Sequence, residues 1–266
     1  MEMIVCIKPV PDPKQAGKMT IDRETGTMIR RDVPSVINPL DRHALEASVR
    51  IRERHGGRVT ALSMAPDDVL PVLKESLARG ADRLVLLSDR RFAGGDTLAT
   101  ACVIAAAVGH LGTFDLVMCG DETTDSGTAQ VSAQIAEFLD VPNIMHVDDC
   151  GVSPDGDLRL HSRNEEGAFT AEGQTPMVVS VTADINEPRY VTLMDVLDSE
   201  GKEVLILSAD DLPLEESWIG LEGSPTRVLE LFEPERKSRA EMLSGTPAEQ
   251  AAVLADRLRR LGFRNG

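Results

Sequence analysis

Short apolar runs alternate with helix-length stretches through the first 150 residues, and this alternation constrains the fold more than any other feature. The apolar runs have the length of strands and cover residues 3–7, 58–64, 84–87, 114–118 and 143–147. The stretches between them are predicted helices and cover 39–54, 67–79, 96–111 and 127–139. Near-continuous apolar strands joined by helices are typical of a parallel sheet covered on both faces. The pattern predicts a doubly wound α/β domain.

The sequence from residue 151 onward is organised differently. Two short strands are predicted around a polar turn at 164–167, followed by an apolar strand at 177–181. Beyond residue 208 prolines are frequent and periodicity is weak until a last helix, whose predicted apolar face carries Ala251, Leu254, Leu258 and Leu261. A long segment without its own core is uncommon inside a compact domain. We therefore expect an α/β domain over 1–204 and a C-terminal arm over 205–266 that packs on another chain; folding back onto its own domain is the alternative.

The charge balance restricts the classes of partner. The chain has 266 residues and a formal net charge of −16. Nucleic acids and anionic membranes bind basic surfaces, so neither is expected as a partner. The sequence shows no signal peptide and no apolar stretch of about 20 residues, so we expect a cytoplasmic protein without membrane insertion.

The residues that usually carry catalysis form no recognisable group. The four cysteines are far apart and include no Cys-x-x-Cys pair, and the five histidines show no metal-ligand spacing. The cysteines are therefore predicted to be small hydrophobic residues rather than disulfides or zinc ligands. No nucleophile–base arrangement stands out either. We predict no catalytic side chain and no metal, and chemistry supplied by a bound cofactor.

The stretch "CGDETTDSGTAQVSAQIAEFL" at 119–139 has the pattern of a strand, a loop and a helix that begins near Gly127. A helix N-terminus favours an anion, because its free N–H groups and positive dipole end point toward the ligand. The loop has three carboxylates and neither Lys nor Arg, which argues against a free triphosphate. Gly127 would admit the backbone close to a phosphate, and Thr128 and Gln130 add donors. The alternative is an ordinary helix start capped at 125–126.

Other segments follow strand ends and are expected to converge on the same crevice, since ligands bind outside the carboxyl ends of parallel strands. Cys6 and Lys8 follow the first strand, and Ser63 and Met64 end the second. The sequence therefore predicts a crevice for a nucleotide mono- or diphosphate that is held by backbone amides.

Several longer motifs resemble the beta (small) subunit of electron-transfer flavoproteins over nearly the whole chain. They are "CIKPVPD" at the start, "INPLDRHALEA" at 37–47, "ALSMAP" at 61–66, "GADRLVLLSD" at 80–89, "GTAQVSAQIAEFLDVP" at 127–142, "NEPRYVTL" at 186–193 and "GLEGSPT" at 220–226. Each motif alone is weak, but their order and spacing along the whole chain make the resemblance specific.

The resemblance implies an adenine-nucleotide-binding, Rossmann-like domain in a heterodimer with an alpha subunit, which carries an electron-transferring FAD. The C-terminal arm would then embrace that partner. Conventional members of the family bind a structural AMP in the crevice. The residues expected to bind the cofactor here are Cys6, Lys8, Asn38, Asp41, Ser63, Met64, Asp96, Thr97, Gly120, Asp125, Gly127, Thr128, Ala129, Gln130 and Val131.

The loop sequence bears on which nucleotide is bound. Conventional members read Asn-Gln-Thr-Gly in the loop, where this chain has Ala129-Gln130-Val131-Ser132. With the preceding Thr128, the stretch Thr-Ala-Gln-Val at 128–131 resembles the electron-bifurcating branch. In that branch a second FAD replaces AMP, accepts a hydride from NADH, and passes one electron to ferredoxin or flavodoxin. The other electron goes through the alpha-subunit FAD to an acyl-CoA dehydrogenase-type enzyme. Bifurcating members usually read Gly-Arg-Gln-Ala after the strand, where this chain has Gly120-Asp121-Glu122-Thr123, and usually have Gly in place of Ser132.

The resemblance also implies a surface for the dehydrogenase. The recognition loop of the family corresponds to 188–193, with Tyr190 and Leu193 as partner-binding residues and Leu193 as the apolar anchor. Glu165 and Glu166 match a second family signature, which lies near the mobile flavin domain in relatives. The alternative for Tyr190 and Leu193 is that they are core residues of a helix start.

Two other functions remain open at this stage. One is a conventional, non-bifurcating electron-transfer flavoprotein with AMP in the crevice. The other, from a different class, is a nucleotide-binding regulatory protein that resembles universal stress proteins. The arm and the "EPRYVTL" motif favour the flavoprotein.

Overall fold

The computed structural model of the chain describes residues 1–18, 20–21, 28–29, 33–153, 155–229 and 240–263. Within these residues the strands, in chain order, are β1 (Glu2–Cys6), β2 (Pro9–Pro11), β3 (Thr20–Ile21), β4 (Met28–Ile29), β5 (Ser35–Ile37), β6 (Arg58–Met64), β7 (Arg83–Leu87), β8 (Leu116–Gly120), β9 (Asn143–Val152), β10 (Leu158–Asn164), β11 (Gly167–Gly173), β12 (Met177–Val181) and β13 (Glu203–Leu207). The helices are α1 (Pro39–His55), α2 (Leu70–Leu73), α3 (Glu75–Ala78), α4 (Thr97–His110), α5 (Val131–Leu139), α6 (Leu193–Ser199) and α7 (Pro247–Arg260).

A nine-stranded sheet forms the centre of the fold, in the order β11-β10-β9-β12-β8-β1-β6-β7-β13. The strands from β9 to β13 in this order are parallel, and the β10–β11 hairpin extends the sheet in antiparallel pairing. The predicted doubly wound α/β class is confirmed, as are the two strands on either side of the turn at 164–167.

Helices cover the two faces of the sheet separately. One buried cluster joins the sheet to α1, α2 and α3, and includes Leu45, Leu73 and Leu77. The other joins it to α4 and α5, and includes Ile104 and Ile135. The helix that follows β1 therefore lies on one face, and the helix that follows β8 lies on the opposite face. Since β1 and β8 are neighbours, the topological switch point is between them, which is where ligands bind in sheets of this kind.

The ends of α1 are set by its sequence. Pro39 occupies the first turn, where its missing N–H costs nothing, and Gly56 ends the helix with φ of 74°. Residues along one side of α1 are fully buried, whereas the other side carries charged groups. This helix directs its N-terminal turn toward the carboxyl ends of β1 and β8.

Two of the predicted helices differ from the structure. The helix expected over 67–79 is divided into a 3₁₀ turn at Asp67–Val69 followed by α2 and α3, with Pro71 inside the first turn of α2. The helix expected to begin near Gly127 begins at Val131 instead. Gly127 and Ala129 have φ of 57° and 51°, and left-handed backbone at these two positions is incompatible with an α-helix.

The C-terminal region is divided at a later residue than expected. Strand β13 pairs in parallel with β7, so the boundary expected at 204/205 falls inside a strand of the sheet. Leu207, Leu212 and Ile219 are buried in the core. The chain forms two compact units, Met1–Glu230 and Leu231–Gly266, and part of the expected arm lies outside the described residues. The packing of the arm on another chain stays a prediction.

The second unit contains the predicted last helix, α7. It begins with a capping box in which Thr246 and Glu249 satisfy each other's backbone N–H groups. Its apolar side chains are Val253, Leu254 and Leu258, which are 40% to 50% exposed. No helix in the described part of the chain has both the length and the apolar character needed to cross a bilayer.

Candidate nucleotide site at the switch point

A buried carboxyl group joins the three segments that meet at the switch point. Asp41, in the first turn of α1, accepts hydrogen bonds from Lys8 N at 2.7 Å and Asn38 Nδ2 at 2.9 Å, and from the backbone of Gly120. Only 4% of Asp41 is exposed. A Cβ at position 120 would overlap Asp41 Oδ1, so the approach of α1 to β8 requires glycine there. The carboxyl group fixes the distances between these segments.

Burial raises the pKa of Asp41 to about 7, although the hydrogen bonds from Asn38, Lys8 and Gly120 favour the charged form. The group therefore changes its charge near neutral pH. The stability that it contributes is complete below the ordinary carboxyl pKa and is lost as the pH rises toward 7, because the folded state holds a proton that the unfolded state has already released.

Asn38 and Lys8 hold the loop that follows β8. Asn38 Nδ2 donates to Glu122 O at 2.9 Å, and Thr124 N donates to Asn38 Oδ1 at 3.2 Å. Lys8 Nζ lies 2.8 Å from both oxygens of Asp125. Burial alone would raise the pKa of Asp125, but the ammonium of Lys8 holds it below its usual range. A cation from the segment that follows β1 thus lies beside a loop that contains neither Lys nor Arg.

The loop leads into α5 through a run of free backbone donors. Gly127 N donates to Thr123 O at 2.8 Å, which closes a turn. The following N–H groups, from residue 128 to residue 133, donate to no acceptor among the described residues. Gln130 is at the N-cap position of α5, but its side chain does not cap the helix and instead accepts from Thr97 Oγ1 at 3.1 Å. Six consecutive donors are therefore available to a ligand.

Two buried hydroxyl groups at this edge of the sheet lack a partner. Ser132 is 3% exposed and Ser63 is 1% exposed, and neither Oγ atom has a hydrogen-bond partner within the described residues. Ser132 lies in the first turn of α5, and Ser63 is the second-last residue of strand β6, which pairs with β1. Buried hydroxyl groups are normally hydrogen-bonded, so a polar ligand or water is expected to complete them.

Cys6 and Met64 line the apolar side of the same edge. Both pack against the cluster beneath α4 and α5, and Val131 joins them there. A hydrogen bond with Cys6 and burial together raise the pKa of the Cys119 thiol. Thiols in this state are poor nucleophiles, in agreement with their predicted role as small hydrophobic residues.

The hydrogen bonds of Asp96 have structural roles. Its carboxylate caps α4 by accepting from Leu98 N and Ala99 N, and also accepts from Thr226 Oγ1 at 2.8 Å. Asp96 therefore ties the segment around residue 226 to α4, while its neighbour Thr97 contacts Gln130. Of the remaining predicted residues, Thr128 is exposed on the loop, and its side chain makes no hydrogen bond within the described residues.

Sequence reasoning missed a polar group beside the loop. The carboxylate of Asp121 accepts from Ser180 Oγ at 2.7 Å and lies 2.6 Å from His146 Nδ1. His146 sits at an irregularity in the pairing of β9 with β12 and has φ of 56°. No spacing in the sequence connects residues 121, 146 and 180, so only the fold could reveal them.

The predicted partner-binding residues lie at two separate places. Tyr190 is 92% exposed and Leu193 is 75% exposed, so the alternative that they are core residues is not supported. They precede or begin α6, which neighbours β13. Glu165 and Glu166 form the β10–β11 turn at the opposite edge of the sheet. The described residues contain no group of three or more side chains that could hold a metal ion.

This fold defines the chain as a doubly wound α/β protein whose candidate ligand site is at the switch point.

Residues 25–212 match the model of the electron transfer flavoprotein domain. Three relatives are similar over nearly the whole chain. They are "Electron transfer flavoprotein subunit beta" of Thermoanaerobacterium thermosaccharolyticum, 41% identical over 97% of this chain and 98% of the relative; "Caffeyl-CoA reductase-Etf complex subunit CarD" of Acetobacterium woodii, 38% identical over 95% of each; and "Acryloyl-CoA reductase electron transfer subunit gamma" of Anaerotignum propionicum, 38% identical over 97% of this chain and 98% of the relative.

The chain belongs to the electron transfer flavoprotein family and is of its beta-subunit type. The recognition made from the motifs is confirmed. Because the similarity extends over nearly the whole sequence, the alternative of a regulatory protein of the universal stress type is not supported.

Asp41→Asn tests the carboxyl group at the switch point. The new amide would place an N–H group against a backbone or Asn38 donor, which costs on the order of 2 kcal/mol of unfolding free energy. The difference in unfolding free energy between wild type and variant should decrease by on the order of 2 kcal/mol between about pH 5 and about pH 8, because the stability that Asp41 contributes is lost over this range. Urea unfolding at several pH values measures both effects.

Asp67→Asn, which changes an exposed carboxylate, is the control and should show no such pH dependence. A difference between wild type and Asp41→Asn that stays constant with pH would show that Asp41 is ionised throughout.

Proposed function

We propose that this chain binds FAD at the switch point and serves as the nucleotide-binding subunit of an electron-bifurcating flavoprotein. In this role it takes electrons from NADH and divides them between ferredoxin or flavodoxin and an acyl-CoA dehydrogenase-type enzyme, through the FAD of an alpha subunit. Two similar proteins are named as a subunit of a caffeyl-CoA reductase complex and as an electron transfer subunit of acryloyl-CoA reductase. These names support a partner that acts on acyl-CoA compounds.

The single observation that carries nucleotide binding is the row of free donors at the start of α5. Six consecutive N–H groups and the buried Ser132 hydroxyl face no protein acceptor in the described residues. Phosphate oxygens satisfy such donors, and the positive end of the helix dipole adds to the attraction. The residues present therefore fit a pyrophosphate or a monophosphate, without need of a further lysine.

A carboxylate for ribose hydroxyl groups is also present. Asp121 and Asp125 are engaged by His146, Ser180 and Lys8, whereas the carboxylate of Glu122 makes no hydrogen bond within the described residues. A Cβ at Gly127 would lie 3.7 Å from Glu122 Oε2, so this carboxylate is close to the phosphate-facing part of the loop. We infer that Glu122 accepts from the ribose.

The residue at position 129 bears on the choice between FAD and AMP. Ala129 has a left-handed backbone with φ of 51°, a conformation that Asn adopts several-fold more readily. Conventional members carry Asn at this place, so alanine retains the backbone and removes a polar side chain. The resulting room supports the larger cofactor. A bound flavin would supply the exchange between two-electron transfer from NADH and one-electron transfer to the acceptors.

The double change Ala129→Asn with Val131→Thr tests the cofactor assignment. It restores polar side chains where Ala129 and Val131 leave room, and it should favour AMP. Flavin content of the heterodimer with the alpha subunit should fall from about two toward about one, and NADH oxidation should be lost. Flavin and adenylate are counted after denaturation of the purified complex. Since Asn tolerates the backbone at 129, misfolding is not an expected cause of this loss.

Ala129→Gly is the matched control, because it keeps the left-handed backbone and adds no polar group; two flavins should remain. The unmodified heterodimer provides the decisive count. If it contains one FAD and one AMP, the bifurcation hypothesis is wrong and the chain is a conventional shuttle subunit, which binds AMP with the same donors.

The segment around α6 is the proposed contact with the dehydrogenase. Tyr190, Leu193, Met194 and Leu197 are between 49% and 92% exposed, although their side chains are large and apolar. An exposed apolar group of this kind on a soluble protein indicates an interaction site. Since one residue near the centre of such a site often dominates its affinity, Leu193 is the proposed anchor.

Leu193→Ala should remove an apolar anchor worth on the order of 2 kcal/mol at the interface. The KM for the dehydrogenase should rise by roughly 30-fold. Flavin content and heterodimer stability should stay unchanged, because the Leu193 side chain is 75% exposed. Steady-state electron transfer at varied dehydrogenase concentration measures this. Ile206→Ala, which changes a half-exposed residue of β13, is the control. Dissociation of the heterodimer would place Leu193 at the alpha-subunit interface instead.

The arm is proposed to pack on the alpha subunit. Leu254 and Leu258 on α7 are 50% and 40% exposed, so their apolar side chains are only partly covered. The isolated chain should therefore be cut by protease within 231–266 at least about tenfold faster than the heterodimer, because binding protects the backbone from local opening. Timed proteolysis followed by mass spectrometry locates the cuts. Equal cleavage rates with and without the alpha subunit would contradict this packing.

A further inference from the structure

Helix α6 has little support from its own residues. It has seven residues and none of them is buried. Its only internal support at the start is a capping box between Thr192 and Asp195, which lowers the pKa of Asp195 through hydrogen bonds from Thr192. Helices this short are marginal in water without tertiary contacts. Besides its contact with α3, the position of α6 therefore depends on the residues on either side of it.

The segment before α6 is fixed by Arg189. Its guanidinium donates to Glu46 Oε2 at 2.7 Å and to Glu53 Oε1 at 2.7 Å, with a second contact to each carboxylate. Glu46 is 3% exposed, whereas the side chains of Arg189 and Glu53 are 33% and 46% exposed, so this bidentate arrangement is buried on the Glu46 side and open to solvent on the Glu53 side. Hydrogen bonds from Arg189 lower the pKa of Glu53, and both carboxylates raise the pKa of Arg189.

Other contacts hold the same segment against α1 and α3. Arg50 Nη2 donates to Glu187 O at 2.9 Å, and Arg79 Nη1 donates to Arg189 O at 2.7 Å. Asn186 Nδ2 donates to His43 O. The α1 residues involved share one side of the helix, since they follow the three- and four-residue spacing of a helical face. They are His43, Glu46, Arg50 and Glu53.

The segment after α6 is fixed by Lys202. Its ammonium donates to Leu77 O and to Ala81 O, each at 2.8 Å. These carbonyls belong to the end of α3 and the turn that follows it. Burial lowers the pKa of Lys202. Within the described residues it has no carboxylate at ion-pair distance, so its role is to bind two backbone carbonyls.

An open cavity of about 680 Å³ separates α6 from the helices below it. Pro71, Leu77 and Ala78 line one wall, and Val191 and Val196 line the other. Although α6 lies beside α3, the cavity leaves space beneath it, so the contacts at the two ends of the segment contribute to where its outer face points. The two cationic anchors are the contacts that can do so.

We propose that Arg189 and Lys202 are positioning residues that hold α6 in place over the cavity beside α3, so that Leu193 is presented to the dehydrogenase. This inference rests on the proposed docking role of α6. Arg189 sets the start of the segment relative to α1, and Lys202 sets its end relative to α3. Without either anchor, α6 would sample positions over the cavity, and binding would require its ordering.

The test uses the heterodimer with Arg189→Gln or Lys202→Met. Amide hydrogen exchange over residues 190–200 should become about tenfold faster, since the local opening that it reports becomes more frequent. The KM for the dehydrogenase should rise by about tenfold, while kcat and flavin content stay unchanged, because only the ordering of the docking segment is affected. Arg189→Lys should recover part of the loss, since a lysine restores the charge and not the two bidentate contacts.

Two controls match the charge changes. Arg159→Gln removes an arginine of β10 from an exposed ion pair with Glu172 of β11. Lys74→Met removes a lysine that lines the same cavity and whose ammonium makes no hydrogen bond within the described residues. Neither should alter exchange over 190–200. Unchanged exchange in Arg189→Gln and Lys202→Met overturns the proposal. If Leu193→Ala raises the KM and the anchor variants do not, the anchoring role fails alone; if none of them does, the docking role of α6 fails.

Discussion

The hydrogen bonds of one buried carboxyl group determine the geometry on which the candidate site depends. Asp41 belongs to α1, yet it accepts from the backbone at the end of β1 and at the end of β8. These two strands are the pair between which the sheet reverses its winding. Any ligand at the switch point must fit between segments that Asp41 holds together. Glycine at position 120 and Asn38 beside the carboxyl group are parts of the same arrangement, because each would be unnecessary if α1 lay further away.

The alternation of apolar runs and helices was enough to predict the sheet, since buried parallel strands leave little freedom in their composition. It could not predict the start of α5. The sequence pattern predicts a helix from about Gly127, but left-handed backbone at Gly127 and Ala129 delays the helix to Val131. The delay is what leaves the row of donors free. The arm boundary was misplaced because β13 pairs with a strand that is distant in sequence, and its short apolar run carries no local sign of that pairing.

The sequence pattern also could not predict ion pairs between residues that are far apart in the chain. Arg189 and Glu46 are 143 residues apart, and nothing in "NEPRYVTL" indicates which helix it will contact. The same helix, α1, carries Asp41 at its start and Glu53 near its end, a separation of about 18 Å along the axis. The proposed cofactor site and the proposed docking segment are therefore attached to one rigid element. A change at either end that shifts α1 would therefore also move the residues at its other end.

The contact between Phe138 and Trp218 gives the chain a built-in optical signal. Their ring centroids are 6.2 Å apart in an edge-to-face arrangement, and Trp218 is the chain's single tryptophan. Phe138 lies in the last turn of α5, whose first turn carries the free donors. Emission from the isolated chain therefore comes from one place, about 13 Å along α5 from the proposed phosphate position. Flavin absorbs where tryptophan emits and an adenylate does not, so titration of the isolated chain would distinguish the two ligands by quenching, without a label.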